Sequence, residues 1–426
     1  MKNHQLSIDR YEAYKDSGIE WLGEVPEHWE LNRHKDNFVF VNKRCNDSKL
    51  FKVGLENIES KTGQFLSTES EFDGDGIEFR ENDILLGKLR PYLAKVYLAQ
   101  FNGNAIGDIF VYRTKLNTQS KFAYYLMLSS RYIDVMNSST VGAKMPRVSS
   151  DFIANLIVAT PSLSEQKSIA RYLDTKTAQI DRKIDLLTQK ATLYGDLKRS
   201  LINETVTRGL DKSVAIKDSG IEWIGEIPEH WETRRINDIA IQSKRKNIRL
   251  IENNLLSLSY GKIKRRNIDT SFGLLPESFE TYQIVEAGNI ILRLTDLQND
   301  QRSLRVGLAT ERGIITSAYL CLSFFKNVYP IFAYYLLFVY DISKVFYWFG
   351  GGLRQSMKFE DVKVFPFILP PLSEQKKIAD YLDTKTAQID QIIQTINTQI
   401  DKLKELRKTL INDVVTGKIK IMDKAQ

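Results

Sequence analysis

Only two cysteines, Cys45 and Cys321, and four histidines occur among the 426 residues. Two distant cysteines exclude a disulfide framework and a cysteine zinc site, and they fit a reducing, cytoplasmic compartment. Four histidines leave little scope for a histidine metal cluster. The longest apolar run, Val328 to Tyr340, is 13 residues. A membrane helix needs about 18, so a core helix is expected there. The opening stretch MKNHQLSIDRYEAYKDSG has no apolar segment, and a secretory signal is not expected.

Catalytic signatures are missing as well. No G-x-x-x-x-G-K-[ST] phosphate loop is present, and Gly74 and Gly76 lack the third glycine of a dinucleotide loop. The one Pro-Pro pair, Pro370-Pro371, precedes Leu372 rather than an aromatic, so the loop of amino-methyltransferases is missing too. Glu-Gln-Lys at 165–167 and 374–376, with Asp151 and Asp361 upstream, has the composition of a metal-dependent nuclease motif. That chemistry needs alternate residues of a strand converging on a metal. Here the residues open a helix, where positions two apart point about 200° apart. The expectation is a chain that is not an enzyme and binds no cofactor or metal.

What the sequence does have is a duplication. KDSGIEWLGEVPEHWE at 15–30 returns at 217–232 with 14 of 16 positions identical. SEQKSIARYLDTKTAQID at 164–181 returns at 373–390 with 16 of 18. Between these blocks, segments 31–160 and 233–369 have diverged, apart from FAYYL at 122–126 and 332–336. A period of about 200 residues is too long for a solenoid and indicates a duplicated pair of domains. The divisions are 1–30, a first variable domain 31–160, a helix 161–215, the repeated segment 216–232, a second variable domain 233–369, and a helix 370–426.

Ser164 and Ser373 are expected N-caps of those helices, with Glu165 and Glu374 in the first turn, where the helix dipole favours an anion. Apolar positions follow at Ile180, Ile184, Leu187, Ala191, Tyr194, Leu197 and Leu201, and again at Ile389, Ile393, Ile396, Ile400, Leu403, Leu406 and Leu410. This is a heptad-like stripe with one short step. Gly209 and Gly417 stand where the helices should stop. Two helices of about 45 residues, each roughly 65 Å long, are expected to bury their stripes against each other as an antiparallel coiled-coil rod. His28 and His230, inside the repeated Pro-Glu-His-Trp, read as packing residues.

Charge is concentrated in the diverged segments. Segment 31–160 carries net +3 and segment 233–369 net +7, in a chain of net +7 overall, so the repeated frame is net acidic. This is the pattern of a nucleic-acid reader. In the first domain the candidate DNA contacts are Lys88, Arg90, Tyr92 and Lys95 of GKLRPYLAK, with Lys144 and Arg147 of GAKMPR. In the second they are Lys244, Arg245, Lys262, Lys264, Arg265 and Arg266. Arg293, Arg302 and Arg305 follow in the stretch corresponding to GKLRPYLAK, then Arg354, Gln355 and Lys358 in GGGLRQSMK. Arg pairs bidentately with guanine and Gln with adenine, so such loops suit major-groove readout. Both domains read as α/β (α+β), with strands in VYLAQFNGNAIGDIFVYR. One aromatic-rich helix is expected in each, over KFAYYLMLSSRYIDVM and IFAYYLLFVYDISKVFYWF.

Two variable domains, each followed by a long helix opening P-x-L-S-E-Q, resemble the specificity subunits of type I restriction–modification systems. GIEWLGEVPEHWE, PSLSEQKSIARYLDTKTAQID and their second copies carry the resemblance. The usual Pro-Pro-Leu entry stands at Pro370–Leu372 and is Pro161-Ser162-Leu163 in the first copy. The resemblance implies two target-recognition domains, each reading one half of a bipartite, asymmetric site in double-stranded DNA. The rod would then space the halves and dock two modification (methyltransferase) subunits. S-adenosylmethionine would sit on those partners, which flip and methylate adenine, and ATP and Mg on restriction subunits (translocase and nuclease) that join them. The competing reading is a coiled-coil scaffold whose variable domains bind proteins rather than DNA.

Overall fold

The computed structural model describes residues 10–421 apart from 46, 48, 69–71, 73, 143, 268–277, 301–303 and 350–355. The chain divides into two compact units, residues 1–188 with 397–426 and residues 189–396. Each unit contains one repeated block, one variable segment and a stretch of both long helices.

At its root every variable segment is held by an antiparallel strand pair. Glu30–Arg33 pairs with Ile157–Thr160 in the first unit, and Glu232–Arg235 with Pro366–Leu369 in the second. The chain leaves and re-enters on neighbouring strands, so the residues between can diverge without disturbing the frame. Beyond the root, Phe38–Val41, Ile109–Thr114, Ile84–Gly87 and Val96–Leu98 form an antiparallel sheet in that order. Ala240–Gln242, Leu320–Phe324, Ile290–Leu292 and Val306–Leu308 repeat it. The remaining strands differ. In the first unit Arg44–Cys45, Gly76–Phe79, Gly103–Ala105 and Phe51–Val53 make one mixed sheet. In the second, Leu256–Ser259 pairs with Lys262–Arg265, and Gln283–Val285 pairs separately with Gly313–Ile315.

The aromatic-rich helices are each broken once, where one continuous helix was expected. Ser129 adopts an extended conformation between Ser120–Leu128 and Ser130–Ser138, its buried hydroxyl donating to the Leu126 carbonyl at 2.7 Å. Lys344, at φ 61°, separates Pro330–Ile342 from Val345–Trp348. Most of the aromatics are core, including Phe122, Tyr125, Phe332, Tyr335 and Tyr340. His34 stacks on Phe38, and burial pulls its pKa down to about 3, making it a neutral core ring. Burial pushes the Cys321 thiol up to about 12.

The long helices are Leu163–Arg208 and Leu372–Val415. Ser164 and Ser373 lie within the first turn and are not the caps. Ser162 caps the first helix through the Glu165 amide (3.3 Å), and Pro371 stands at the same place in the second. Gly209 and Gly417 end the helices at φ +73° and +75°. Within the first unit, Ile169 and Leu173 share a core with Ile411, Val414 and Val415. Within the second, Ile202 and Val206 share one with Ile378 and Leu382. The early turns of one helix therefore meet the late turns of the other, which is antiparallel packing.

The stripe needs one correction. Leu197 and Leu406 are about half exposed, at 52% and 53%, while the next residues, Lys198 and Arg407, turn inward. The heptad continues 4-3-4-3 through these cations without the short step, because each satisfies an aspartate of the opposite helix. Lys198 reaches Asp390 at 2.7 Å, and Arg407 reaches Asp181 at 2.9 Å. Ile180, Ile184, Leu187, Leu201, Ile393, Leu403 and Leu410 are partly buried, and Ile389, Ile396 and Ile400 are buried.

The repeated motifs bind one another. Glu165 accepts from Trp29 Nε1 (3.1 Å) and Tyr11 (2.6 Å) and meets His28 Nε2 at 3.0 Å, while Glu374 meets His230 Nε2 at 2.9 Å. Buried Gln166 donates to the carbonyls of Asn117 and Pro161 and accepts from the Gln119 amide. Gln375 does the same with Asn327, Pro370 and Tyr329. Tyr125 bonds Asp174 and Thr177, and Tyr335 bonds Asp383 and Thr386. The Ser-Glu-Gln signature is thus the joint between helix, repeated block and variable domain.

Candidate nucleic-acid interface

Two loops, 88–95 and 141–148, are stitched together in the first unit. The Arg90 amide donates to the Pro146 carbonyl (2.8 Å) and the Val148 amide to that of Lys88 (3.1 Å). Val141 and Arg147 exchange backbone bonds across the second loop, both at 3.1 Å. Asp108 grips Arg147 with both oxygens (3.2 and 3.1 Å) and lies 3.6 Å from Lys88 Nζ. Left-handed backbone at Arg90 (φ 50°) and Ala94 (φ 49°) turns the chain around Pro91. The resulting ridge presents Arg90, Tyr92 and Lys144, with Met145 and Val141 beside them, all exposed. An exposed cation next to exposed apolar side chains suits a base edge and its stacked neighbours.

Arg90, Tyr92 and Lys144 are therefore exposed on one ridge, with Lys88 and Arg147 beside them facing Asp108. Lys95 is not on it. Its ammonium points inward and donates to the carbonyls of Leu55 (2.5 Å) and Ile58 (2.8 Å). A lysine spent on carbonyls inside the domain is a brace, which corrects its assignment as a DNA contact.

The second unit repeats one bond of the stitch. The Met357 amide donates to the Leu294 carbonyl at 2.9 Å, as Val148 does to Lys88. Asp296, at φ 57°, takes the left-handed place of Arg90. The Arg293 amide bonds the Arg305 carbonyl at 2.9 Å, as Gly87 does that of Lys95. Arg305 is fully buried, the largest departure from the sequence expectation, and it cannot touch DNA. Arg293 is partly buried and 3.7 Å from Asp300, and Lys358 is exposed. Arg302, Arg354 and Gln355 lie outside the described residues.

Four exposed candidate cations of this unit, Lys262, Lys264, Arg265 and Arg266, lie on or just after the second strand of the hairpin Leu256–Ser259/Lys262–Arg265. Strand alternation puts Lys262, Lys264 and Arg266 on one face and sends Ile263 inward against Gly307. Arg265 points the other way, to Glu311, 2.7 Å from its Nε. Tyr260, at the tip before Gly261, is 79% exposed at φ 48°. Lys244 is exposed nearby in sequence, as is Arg245, which is paired with Glu286 at 3.3 Å. Tyr260 was missed from sequence. Its signal is Tyr-Gly set before the alternating Lys-Ile-Lys-Arg-Arg, the pattern of a two-stranded ribbon, which the major groove admits.

Among the described residues no cluster of three or more His, Cys, Asp or Glu could hold a metal ion. No helix among them is long and apolar enough to cross a membrane.

Comparison with known proteins accords with this duplicated architecture. The family model for the type I restriction modification DNA specificity domain matches twice, over residues 26–191 and 228–402. The type I restriction enzyme MjaVIII specificity subunit of Methanocaldococcus jannaschii is 25% identical, over 93% of this chain and 94% of its own. The EcoDI specificity subunit of Escherichia coli is 29% identical over 39% of this chain and 41% of its own. Among solved structures, a chain from work on complex assembly and conformational transition of the type I R-M system superposes with a TM-score of 0.71. That match has 15% identity and covers 92% of this chain and 98% of the other. The HsdS subunit of Thermoanaerobacter tengcongensis gives 0.52 at 16% identity, over 93% and 98%. With the domain present twice, the chain belongs to the family of type I restriction–modification specificity subunits.

Proposed function

We propose that the chain reads DNA sequence for a modification complex. Each variable domain reads one half of a bipartite, asymmetric site, and the long helices set the spacer between the halves. The same helices dock two adenine-methyltransferase subunits, which bring S-adenosylmethionine. Restriction subunits that use ATP and Mg join them, and the complex works in the prokaryotic cytoplasm. Catalysis belongs to these partners. The observation that carries the reading is the stitched loop pair. It recurs at the same place in the second unit through one matching backbone bond, Met357 to Leu294, with different residues at the exposed positions around it. A conserved support displaying different side chains is what two different half-sites require.

The test is a map of adenine methylation in the source cell with the gene intact and deleted. Loss of a split motif, two short half-sites around a fixed gap, is the expected outcome. An unchanged map overturns the reading. A protein-binding scaffold would instead leave the assembled complex with DNA affinity that is weak and insensitive to salt. Phosphate contacts make affinity fall steeply with salt.

A further inference from the structure

We propose that Arg305 is a specificity-determining positioning residue. It acts from inside the second variable domain, shaping the loop that meets DNA without touching DNA itself. The inference rests on the reading that this loop contacts DNA.

The geometry is complete at the level of single donors. A guanidinium has five N–H donors and no acceptor. Arg305 Nη1 donates to the carbonyls of Arg293 (3.1 Å) and Thr295 (2.9 Å). Nη2 donates to those of Asp296 (3.3 Å) and Asp300. Nε donates to the Tyr347 hydroxyl at 2.8 Å, and that hydroxyl lies 3.1 Å from the Asp300 carbonyl. The Arg305 amide is held by Asp341 Oδ2 at 2.5 Å. All five donors are therefore used, four of them on the backbone of residues 293–300.

These carbonyls belong to a stretch that is neither helix nor strand and contains a non-glycine residue at positive φ. Such a stretch has no ladder of its own to fix its path, and buried carbonyls left unpaired are costly. A rigid planar cation with donors on three sides fixes four of them at once. Lysine, with three donors around one point, cannot match this set. The loop in turn carries the Leu294 carbonyl that holds Met357, so the same cation sets where residues 356–358 lie. At the equivalent place in the first domain stands Lys95, which braces residues 55–58 instead. The two recognition loops thus have different internal keys, as do their exposed faces.

The experiment uses the whole chain assembled with its modification subunits, scored on a library of bipartite DNA sites by sequencing methylated products. Arg305→Lys and Arg305→Met are expected to lower discrimination at one half-site about tenfold or more, leaving discrimination at the other half-site and the spacer unchanged. General unfolding would abolish methylation instead of loosening one half. Tyr347→Phe removes one hydroxyl with the ring retained, and a smaller loss confined to the same half-site is expected. It carries the test if the Arg305 variants do not fold. Unchanged discrimination in a folded variant, or equal loosening of both halves, overturns the proposal. Failure of the unaltered complex to methylate any bipartite motif would overturn the DNA reading itself.

Discussion

Arg407 of the second long helix meets Asp181 of the first at 2.9 Å, and its other nitrogens reach the Lys61 and Thr62 carbonyls at 3.2 and 3.4 Å. The duplicate of this pair is Lys198 with Asp390, each residue displaced by the repeat offset. The surroundings differ. The Arg407 and Asp181 side chains are 10% and 25% exposed, those of Lys198 and Asp390 26% and 46%. Arg407→Ala leaves a shielded carboxylate and two carbonyls behind and should cost about 2 kcal/mol. Lys198→Ala should cost about 1 kcal/mol or less, because water screens the pair. Denaturant unfolding of both variants checks this, and equal losses would contradict it.

The glycines that end the helices differ in the same sense. A Cβ at Gly417 would lie 2.3 Å from Pro26 Cδ and 3.3 Å from the Trp29 ring. At Gly209 the nearest atoms are a movable Glu374 oxygen at 3.1 Å and Trp231 at 3.2 Å. Both positions have left-handed backbone, which costs alanine about 1 kcal/mol. Gly417→Ala should therefore lose about 3 kcal/mol and Gly209→Ala about 1–2 kcal/mol. The difference in unfolding midpoints reads this out.

Glu165 serves three donors where Glu374 serves one, because Tyr11 has Ser213 as its counterpart and Trp231 Nε1 has no partner among the described residues. Burial and the Glu165 carboxylate together raise the Tyr11 pKa well above its ordinary value. Glu165→Ala should destabilise by about 2–3 kcal/mol and Glu374→Ala by about 1 kcal/mol. A reversed order would mean that the repeated joint is not held by these bonds.

The spacer hypothesis has its own test. Four residues inserted in each long helix, near Lys190 and near Gln399, add about 6 Å of helix, close to two base-pair rises of about 3.4 Å. The methylated motif should gain a longer gap with both half-sites unchanged. An unchanged gap would show that the helices do not measure it.

Much of this architecture is legible in the sequence because repetition doubles the signal. The two blocks mark the frame, the heptads mark the helices, and Gly209 and Gly417 mark their ends. Leu197 was misplaced because periodicity counted by hydrophobicity alone prefers a leucine to the lysine after it. Only the opposite aspartate makes Lys198 an inward residue. Arg305 was misread for a related reason: a cation in a basic loop looks the same in sequence whether its donors face DNA or the loop's own carbonyls. The breaks at Ser129 and Lys344 fall at short polar interruptions, Ser129-Ser130-Arg131 and Ser343-Lys344, which a helical pattern also tolerates, so packing decides them.

Asp341 offers a pH-dependent reading of the same region. It is fully buried, its Oδ1 has no hydrogen-bond partner among the described residues, and burial pushes its pKa up to about 6 against the opposing charges of Lys344 and Arg305. A carboxyl with a raised native pKa holds its proton more tightly folded than unfolded. Stability therefore falls as pH rises from about 4 through 6 and stays lower above that. Asp341→Asn keeps an acceptor for the Arg305 amide without the buried charge. Relative to the unaltered chain, the variant should gain on the order of 2 kcal/mol between pH 4.5 and pH 8. Carboxylates held low by cations, such as Glu78 beside Lys43 and Glu311 beside Arg265, give the opposite slope. They are common to both proteins and cancel in the difference. Unfolding free energies at the two pH values decide the matter, and a difference that does not change with pH would mean that Asp341 carries no charge worth removing.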